Sequence, residues 1–544
     1  MGNLARSAAP LLWLPLAACL SPPVASPRTT VTQESTGNFG QDIKSKVDIL
    51  FMIDNSISMD PMQIELRQRF GDFFQVFQDL ADTDGTFADL HIGVVTSDYG
   101  AGDLAGNGCD ASPGGQRGLL QTIPSPKATN PPTGCLPPVG KPYIAYAFGS
   151  GTAAGAPTTN LPNGTDAAAL VDEFTCMASV GAAGCGFEHQ LESVYAALHD
   201  HADTDNAGFL RADALLAVVF VTNEDDGSAP PAAKFYENNG DTSGTTALGQ
   251  FTTYRQTRFA VDCGAKPIPY GMPDDMLTDC APAPNPTADP SLAYDVSRYI
   301  SFFTKPAALG GVKVDPNDVI LVGIMGPTAP FQTRLIVPGS TQYQDCPSPM
   351  LSSSCLEALD HSCTNHVQPG FFADPAVRLA AVIGSAANQQ ISSICGDDVN
   401  ATPDFTSAMK KVGELIGKAL QPACINAPVA SRRDGTPDCV VEDVTTNGDG
   451  STHTAIIPSC AENGDAPPCW QLVDLLSQYQ MQGCVVPPAM SPPSCKLPAS
   501  CQPVTNPVDG TQQLASIAID RGGVPAAANT AAHVDCATIA SSSQ

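Results

Sequence analysis

The feature that most constrains the fold of this 544-residue chain is the alternation of short apolar runs with amphipathic segments. Residues 47–53 are almost entirely apolar, as expected for a strand buried on both faces. Asp60 and Pro61 resemble the N-cap and first residue of a helix, and apolar side chains recur at helical spacing over residues 62–80. A second apolar run at 90–96 completes a β-α-β unit.

The same alternation continues further along the chain. Apolar runs predict strands at 214–221 and 319–324, and a short strand is expected at 390–394. Helical spacing of apolar residues predicts helices at 166–179, 188–199, 291–303, 376–387 and 405–420. Strands that alternate with helices are typical of an α/β fold, so we expect a central, mostly parallel sheet flanked by helices.

Composition divides the chain into a large domain and a smaller module. Three stretches rich in Gly, Pro or Cys, at about 100–165, 227–290 and 327–371, are predicted to be insertions in a domain spanning 46–420. Residues 421–544 combine Pro, Cys and Thr with short alternating stretches, which predicts a small disulfide-rich module of strand and coil.

The N-terminal residues resemble an export signal. Arg6 is followed by an apolar run too short to span a bilayer, which ends at Leu16-Ala17-Ala18-Cys19. This ending resembles the bacterial lipobox, which implies a signal peptide at 1–18, lipidation of Cys19 and a flexible tether at 19–45. Leu20 follows in place of the Asp of an inner-membrane retention signal. The expected location is therefore extracytoplasmic, at the outer membrane of the envelope, with the lipid anchor as the only membrane contact.

A plain secretory signal, cut near Ala18 or Ala25, is the alternative. The cysteines agree with export, because setting Cys19 aside leaves 18, an even number, spread along the chain and available for disulfides. No two cysteines have C-x-x-C spacing, which argues against zinc ribbons and thioredoxin-like sites. Spacing does not determine the connectivity; plausible close pairs are Cys176/Cys185, Cys263/Cys280 and Cys355/Cys363.

The formal charge of −29 restricts the partners. A surface this acidic repels nucleic-acid phosphates and anionic lipid. Neither is therefore an expected partner. The surface attracts cations or basic partners, although such charge also serves solubility alone.

Asp54, Ser56 and Ser58 form an Asp-x-Ser-x-Ser motif directly after the first predicted strand. Ligands of open α/β sheets bind outside the carboxyl ends of the strands, and these side chains present three oxygens there. Hard cations such as Mg²⁺ take oxygen ligands and keep several waters. A polar turn that caps the following helix is the alternative interpretation.

The segment 47–58 resembles the first strand and metal-ion-dependent adhesion site of the von Willebrand factor A (vWA) family. The resemblance implies a Rossmann-like domain over 46–420 that holds Mg²⁺, or Mn²⁺ or Ca²⁺. It also implies a protein partner whose acidic side chain completes the metal site. The family's later ligands are a Thr before a helix and an Asp after the central strand. Here Glu188 lies nearest the first position, while Asn223 replaces the Asp and Asp225 is the nearby alternative.

These departures leave two expected functions: a metal-dependent adhesion or protein-binding lipoprotein, and a structural envelope scaffold with a degenerate, metal-free site. A catalytic role is not expected, because the chain lacks Gly-x-Ser-x-Gly, His-Glu-x-x-His and phosphate-loop motifs. Two weaker patterns have ordinary alternatives. Asp443, Thr445, Asn447 and Gly448 partly match a calcium loop but also suit a surface turn, and His199 and His201 suit either a metal or solvent.

Overall fold

The computed structural model of the protein describes most of the chain, and every structural statement below concerns these residues. They are 32–39, 46–84, 88–106, 108–110, 114–148, 156–271, 276–284, 292–338, 344–347, 350–420, 424–425, 427–446, 451–476, 503–521 and 530–539. The predicted signal peptide and Cys19 lie outside these ranges.

A seven-stranded sheet forms the centre of the molecule. Its strands are β1 (Lys46–Ile53), β2 (Asp89–Thr96), β3 (Ile144–Ala147), β4 (Thr158–Thr159), β5 (Leu215–Val221), β6 (Val319–Met325) and β7 (Asn388–Ser393). The order across the sheet is β7-β6-β5-β1-β2-β3-β4. Strands β1, β2, β5, β6 and β7 are parallel to one another, whereas β3 and β4 pair antiparallel at one edge.

Apart from the two-residue β4, this is the 3-2-1-4-5-6 order of doubly wound α/β folds. The predicted α/β class with a central, mostly parallel sheet is therefore confirmed. In this order the chain reverses its direction of growth between β1 and β5, which are neighbours in the sheet. Such a switch point opens a crevice at the carboxyl ends of the two strands.

Helices cover both faces of the sheet. They are α1 (Asp60–Asp84), α2 (Ala167–Met177), α3 (Gln190–Tyr195), α4 (Tyr254–Arg258), α5 (Ser297–Thr304), α6 (Val377–Ile383) and α7 (Thr406–Leu420). Residues of α1, α2 and α7 share one apolar core with the sheet, and residues of α3, α5 and α6 share the other. Because both faces are covered, every residue of β5 and of β6 is buried.

Strand β1 shows how the two cores are divided. Phe51 points to the first core, where its ring lies 5.8 Å from that of Phe73 on α1 and 4.9 Å from that of Phe174 on α2. Leu50 and Met52 point to the second core. Strand β1 is thus held from both sides, and its carboxyl end is a rigid base for the Asp54 loop.

The first predicted insertion, 100–165, needs a correction. It contains β3 and β4, which extend the central sheet beyond β2. Residues of β3 alternate between buried and partly exposed, as in a strand near a sheet edge. Four residues of such alternation among Gly- and Pro-rich neighbours give little signal in the sequence.

The other two predicted insertions pack against each other. Strands Phe331–Ile336, Leu356–Leu359 and Met276–Leu277 form one small sheet, and Val261–Cys263, Lys266–Pro267 and Cys280–Pro282 form another. Cys363–Thr364 pairs with Phe372–Ala373. Tyr254, Phe331 and Leu359 share a buried cluster that joins the two insertions.

From Cys424 onward, more than half of the described residues lie in strands. One sheet has the order Thr32–Phe39, Thr530–Ile539, Cys439–Thr446, Thr452–Ile457, and a second has Cys424–Ile425, Ala515–Asp520, Cys469–Asp474. Val504–Thr505 pairs with Gln512–Gln513. The expected flexible tether at 19–45 needs a correction, because it contains the strand Thr32–Phe39. This strand pairs along Thr530–Ile539 and satisfies the backbone hydrogen bonds on that edge of the strand.

Seven disulfides lie within the described residues, as expected of an extracytoplasmic protein. The pair Cys263–Cys280 is confirmed, and the other two suggested pairs are wrong. Disulfides join Cys135 to Cys176, Cys109 to Cys185, Cys346 to Cys355, and Cys363 to Cys395. Tertiary contacts between distant segments decide these partners, and closeness along the chain does not. Every described helix is too short or too polar to cross a bilayer.

Candidate functional site

Three polar side chains meet where neighbouring strands end. Ile53 of β1 pairs with Thr96 of β2 on one side and with Val221 of β5 on the other. The next residues along the three strands are Asp54, Ser97 and Thr222, which therefore lie side by side at the switch point. Parallel strands put these first polar residues at one edge of the sheet.

Asp54 is the centre of this group and has no exposed surface. Its Oδ1 accepts hydrogen bonds from the Ser56 amide at 2.8 Å and the Ser97 hydroxyl at 2.9 Å. Its Oδ2 accepts one from the Thr222 hydroxyl at 2.7 Å. Burial raises the pKa of Asp54, while these hydrogen bonds oppose the rise by favouring the carboxylate.

The hydroxyl groups of the two serines of the motif lie close to each other. The hydroxyl oxygens of Ser56 and Ser58 lie 3.2 Å apart, and the Ser58 hydroxyl donates to Oδ1 of Asn223 at 3.0 Å. Ile57 between them is 83% exposed. Alternate residues of this loop therefore face inward, and their oxygens converge with the Asn223 amide oxygen.

Glu188 lies just before α3 and is also buried. Its Oε2 accepts a hydrogen bond of 3.0 Å from Gln256 on α4. Burial and the nearby carboxyl groups of Glu224 and Asp54 raise its pKa well above the ordinary value. A hydrogen bond links Glu188 to Glu224, whose pKa is raised to about 8 by burial and by the charges of Asp374 and Asp54. Burial and the neighbouring carboxyl groups therefore favour the protonated form of both glutamates.

Asp225 is directed elsewhere. Its carboxylate accepts hydrogen bonds from the backbone amides of Arg378 and Leu379, at 2.9 and 3.1 Å, and so caps the start of α6. Burial raises the pKa of Asp225 to about 6, against the effect of these bonds. The structure thus brings Asp54, Ser56, Ser58 and Asn223 together, places Glu188 beside them, and gives Asp225 a structural role.

Sequence reasoning missed the residues that support Asp54. Ser97 and Thr222 could have been predicted from the sequence, since each is the first polar residue after an apolar strand, as Asp54 is. Gln63 on α1 gave no such signal; it is buried and donates to the carbonyl oxygens of Asp54 at 2.8 Å and Gly181 at 2.7 Å. Together these contacts fix the loop after β1 against α1.

Residues of the two weaker patterns have other partners where the structure describes them. His199 contacts Asp200, and His201 contacts Asp205 and the carbonyl of Arg117, so the histidines have separate partners. Of the partial calcium loop, Asn447 and Gly448 lie outside the described residues, whereas Asp443 lies within the strand Cys439–Thr446 and forms an ion pair with Arg521.

The oxygen donors fit a hard cation in their chemistry. The set combines one carboxylate, two hydroxyls and an amide oxygen, all of which ligate Mg²⁺ or Ca²⁺ in proteins. Within the described ranges, no three His, Cys, Asp or Glu side chains gather around a point suited to a metal. Binding of an ion there would depend on the hydroxyl and amide oxygens.

Comparison with known proteins adds little to this geometry. No family model matches the sequence, and no curated protein matches it. The pilus adhesin SpaC from Lactobacillus rhamnosus GG, in its open conformation, aligns with a TM-score of 0.28 and 11% identity over 93% of this chain and 40% of that one. The pilus adhesin RrgA from Streptococcus pneumoniae aligns with a TM-score of 0.27 and 8% identity over 93% and 58%. The chain thus spans less than two thirds of either adhesin, and similarity this low identifies no function.

Proposed function

We propose that the chain is a lipid-anchored, vWA-type binding protein that recognises a protein partner through a metal ion at the Asp54 loop, and is not an enzyme. The observation that carries the proposal is the convergence of Ser56, Ser58 and Asn223 oxygens beside Asp54 at the switch point. In an open α/β sheet this is where a ligand is expected.

The strand order supports the vWA resemblance. Asp54 follows β1 and Asn223 follows β5, and these two strands are neighbours on either side of the reversal. The resemblance requires a donor after each of these strands. The residues that would hold the ion are Asp54, Ser56, Ser58 and Asn223, with Glu188 at the place of the family's Thr.

A bound divalent ion would supply positive charge and an open coordination position for a partner's carboxylate. The chain's own residues prepare the site for it. Ser97 and Thr222 hold the Asp54 carboxylate in one orientation, so that few of its degrees of freedom remain to be lost on binding. Ile57, at 83% exposure, offers an apolar contact beside the polar oxygens.

Calorimetric titration of the purified protein with Mg²⁺, Mn²⁺ and Ca²⁺ tests the proposal. We expect one ion per chain and loss of binding in Asp54→Ala. Asp203→Ala is the matched control, because Asp203 is exposed and lies outside the site. Circular dichroism of each variant checks folding. Absence of binding in the wild type, or equal binding in Asp54→Ala and the control, would overturn the metal site.

A structural scaffold with a metal-free site is the second candidate, and one observation favours it. The Asp54 carboxylate already has three internal hydrogen-bond donors, and Asn223 adds no charge to attract an ion. This function predicts that envelope proteins co-purify equally well with and without a chelator. Partner capture that EDTA abolishes and Mn²⁺ restores would exclude it.

The lipid anchor has its own test. Cys19→Ser is expected to move the protein from the membrane fraction to the soluble fraction of the envelope, while Ser26→Ala, a control substitution in the predicted tether, leaves it in the membrane. Continued membrane association of Cys19→Ser would instead support a plain secretory signal with another means of attachment.

A further inference from the structure

A cavity of about 510 Å³ lies between the loops that follow β2 and β5. Ala101 to Leu104 form one wall, and residues 231–233 and 236–238 form the other. The volume falls within the range of pockets that take a small ligand or a few side chains. The cavity therefore has room for part of a bound peptide.

The lining has a definite chemical character. Asp103 and Glu237 are both exposed and lie on the two opposite walls. Nη1 of the buried Arg255 donates to the backbone carbonyl of Glu237 at 2.7 Å, which fixes the backbone of the second wall. Leu104, Pro231 and the ring of Tyr236 supply apolar surface between the two carboxylates. Acidic groups at the rim and an aromatic wall suit a cation on an aliphatic stem.

A series of hydrogen bonds connects the cavity to the Asp54 site. The hydroxyl of Tyr236 hydrogen-bonds Nε2 of His189 at 2.7 Å, and the His189 amide donates to the carbonyl of Ser97 at 2.9 Å. The hydroxyl of Ser97 in turn donates to Asp54 at 2.9 Å. The two features thus share one edge of the sheet and one set of supporting residues.

We propose that this cavity binds an arginine or lysine side chain of the protein partner, next to the acidic side chain that the Asp54 site is proposed to take. Because this proposal concerns the same partner, it rests on the proposed function. The partner surface would then carry both signs of charge, with the basic group drawn to the cavity by its two carboxylates. The net charge of −29 on the chain also favours approach of a basic group.

The test uses the full chain and two short peptides, acetyl-Gly-Arg-Gly-amide and its citrulline counterpart, which has the same shape and no charge. Binding is measured by ligand-observed NMR titration in the presence of EDTA. We expect the arginine peptide to bind about tenfold more tightly than the citrulline peptide. The double variant Asp103→Asn/Glu237→Gln is expected to remove that preference.

Asp203→Asn/Glu414→Gln is the matched control, because it removes the same two charges from exposed positions elsewhere. A second variant, Ala232→Arg, places a fixed cation in the exposed wall and is expected to block the peptide. Equal affinity for the two peptides, or an equal loss in the cavity and control variants, would overturn the proposal. Because EDTA is present, failure of the metal site leaves this result unchanged, and failure of the cavity leaves metal titration unchanged.

Discussion

The hydroxyl of Ser58 donates a hydrogen bond of 3.0 Å to Oδ1 of Asn223, although the two residues are 165 positions apart in the chain. The bond joins the loop after β1 to the loop after β5. Asn223 is 1% exposed, and its Nδ2 has no hydrogen-bond partner among the described residues. An amide therefore occupies the position where the vWA resemblance expects a carboxylate.

Replacing this amide by a carboxylate should strengthen metal binding. We expect Asn223→Asp to bind Mn²⁺ about tenfold more tightly, because an added negative charge enters a poorly solvated site. Calorimetry of the variant and wild type measures the change. Asn163→Asp adds the same charge at an exposed loop and should leave the affinity unaltered. An unchanged affinity in Asn223→Asp would show that Asn223 does not face the ion.

The central strands were predictable from the sequence for a definite physical reason. Strands β1, β5 and β6 are buried on both faces, so their side chains must all be apolar, and such runs stand out in a chain of mixed composition. The helix ends were less well predicted. The helix predicted at 291–303 begins only at Ser297, and its residues Tyr299, Phe302 and Phe303 pack into the second core.

The candidate site was predictable only in part. Local spacing is enough to identify Asp54, Ser56 and Ser58, since they belong to one loop. The role of Asp225 depends on α6, which begins more than 150 residues later and receives its carboxylate. The contact between Glu188 and Glu224 likewise depends on how two distant loops meet. Contacts of this kind leave no local pattern in the sequence.

The disulfide Cys109–Cys185 should stabilise the loop that contacts Asn55, and through it the Asp54 site. Cys185 follows Gly184, whose amide donates to the carbonyl of Asn55 at 2.7 Å, and the disulfide closes a loop with a sequence separation of 76. We expect Cys109→Ser/Cys185→Ser to lower the free energy of unfolding by about 3 kcal/mol and to weaken Mn²⁺ binding. Denaturant titration and calorimetry measure the two effects.

The control for this prediction is Cys460→Ser/Cys469→Ser, which removes a disulfide that lies among the C-terminal strands. It should leave the affinity for Mn²⁺ unchanged. Equal losses of affinity in the two double variants would mean that the disulfide near the Asn55 loop has no particular effect on the site.

Arg378 should be essential for the stability of the second core. Its side chain is fully buried and forms an ion pair with the equally buried Asp226, at 3.1 Å. Arg378→Met leaves that carboxylate without its cation, so we expect a loss of about 3–5 kcal/mol in the free energy of unfolding. Arg432→Met breaks half-exposed ion pairs with Asp438 and Glu462 and should cost below about 1 kcal/mol. Similar losses in the two variants would contradict the importance given to burial.

Glu173 should make stability depend on pH. It lies on α2 with 4% exposure, its Oε1 has no partner among the described residues, and burial raises its pKa to about 7. In the unfolded chain the ordinary value of 4.5 applies, so between these two pH values the folded state binds more protons. Stability therefore falls as pH rises from 4.5 to 7, by on the order of 2–3 kcal/mol from this residue, and then stays level.

Glu173→Gln removes this contribution, because an amide does not ionise. Chemical denaturation of the variant and wild type from pH 4.5 to 8 should give a stability difference that grows in favour of the variant as pH rises and is largest above pH 7. Asp172→Asn changes the exposed neighbouring acid and should track the wild type across the same range. A difference between Glu173→Gln and wild type that is constant with pH would show that Glu173 has the same pKa in the folded and unfolded states, and would contradict the raised pKa.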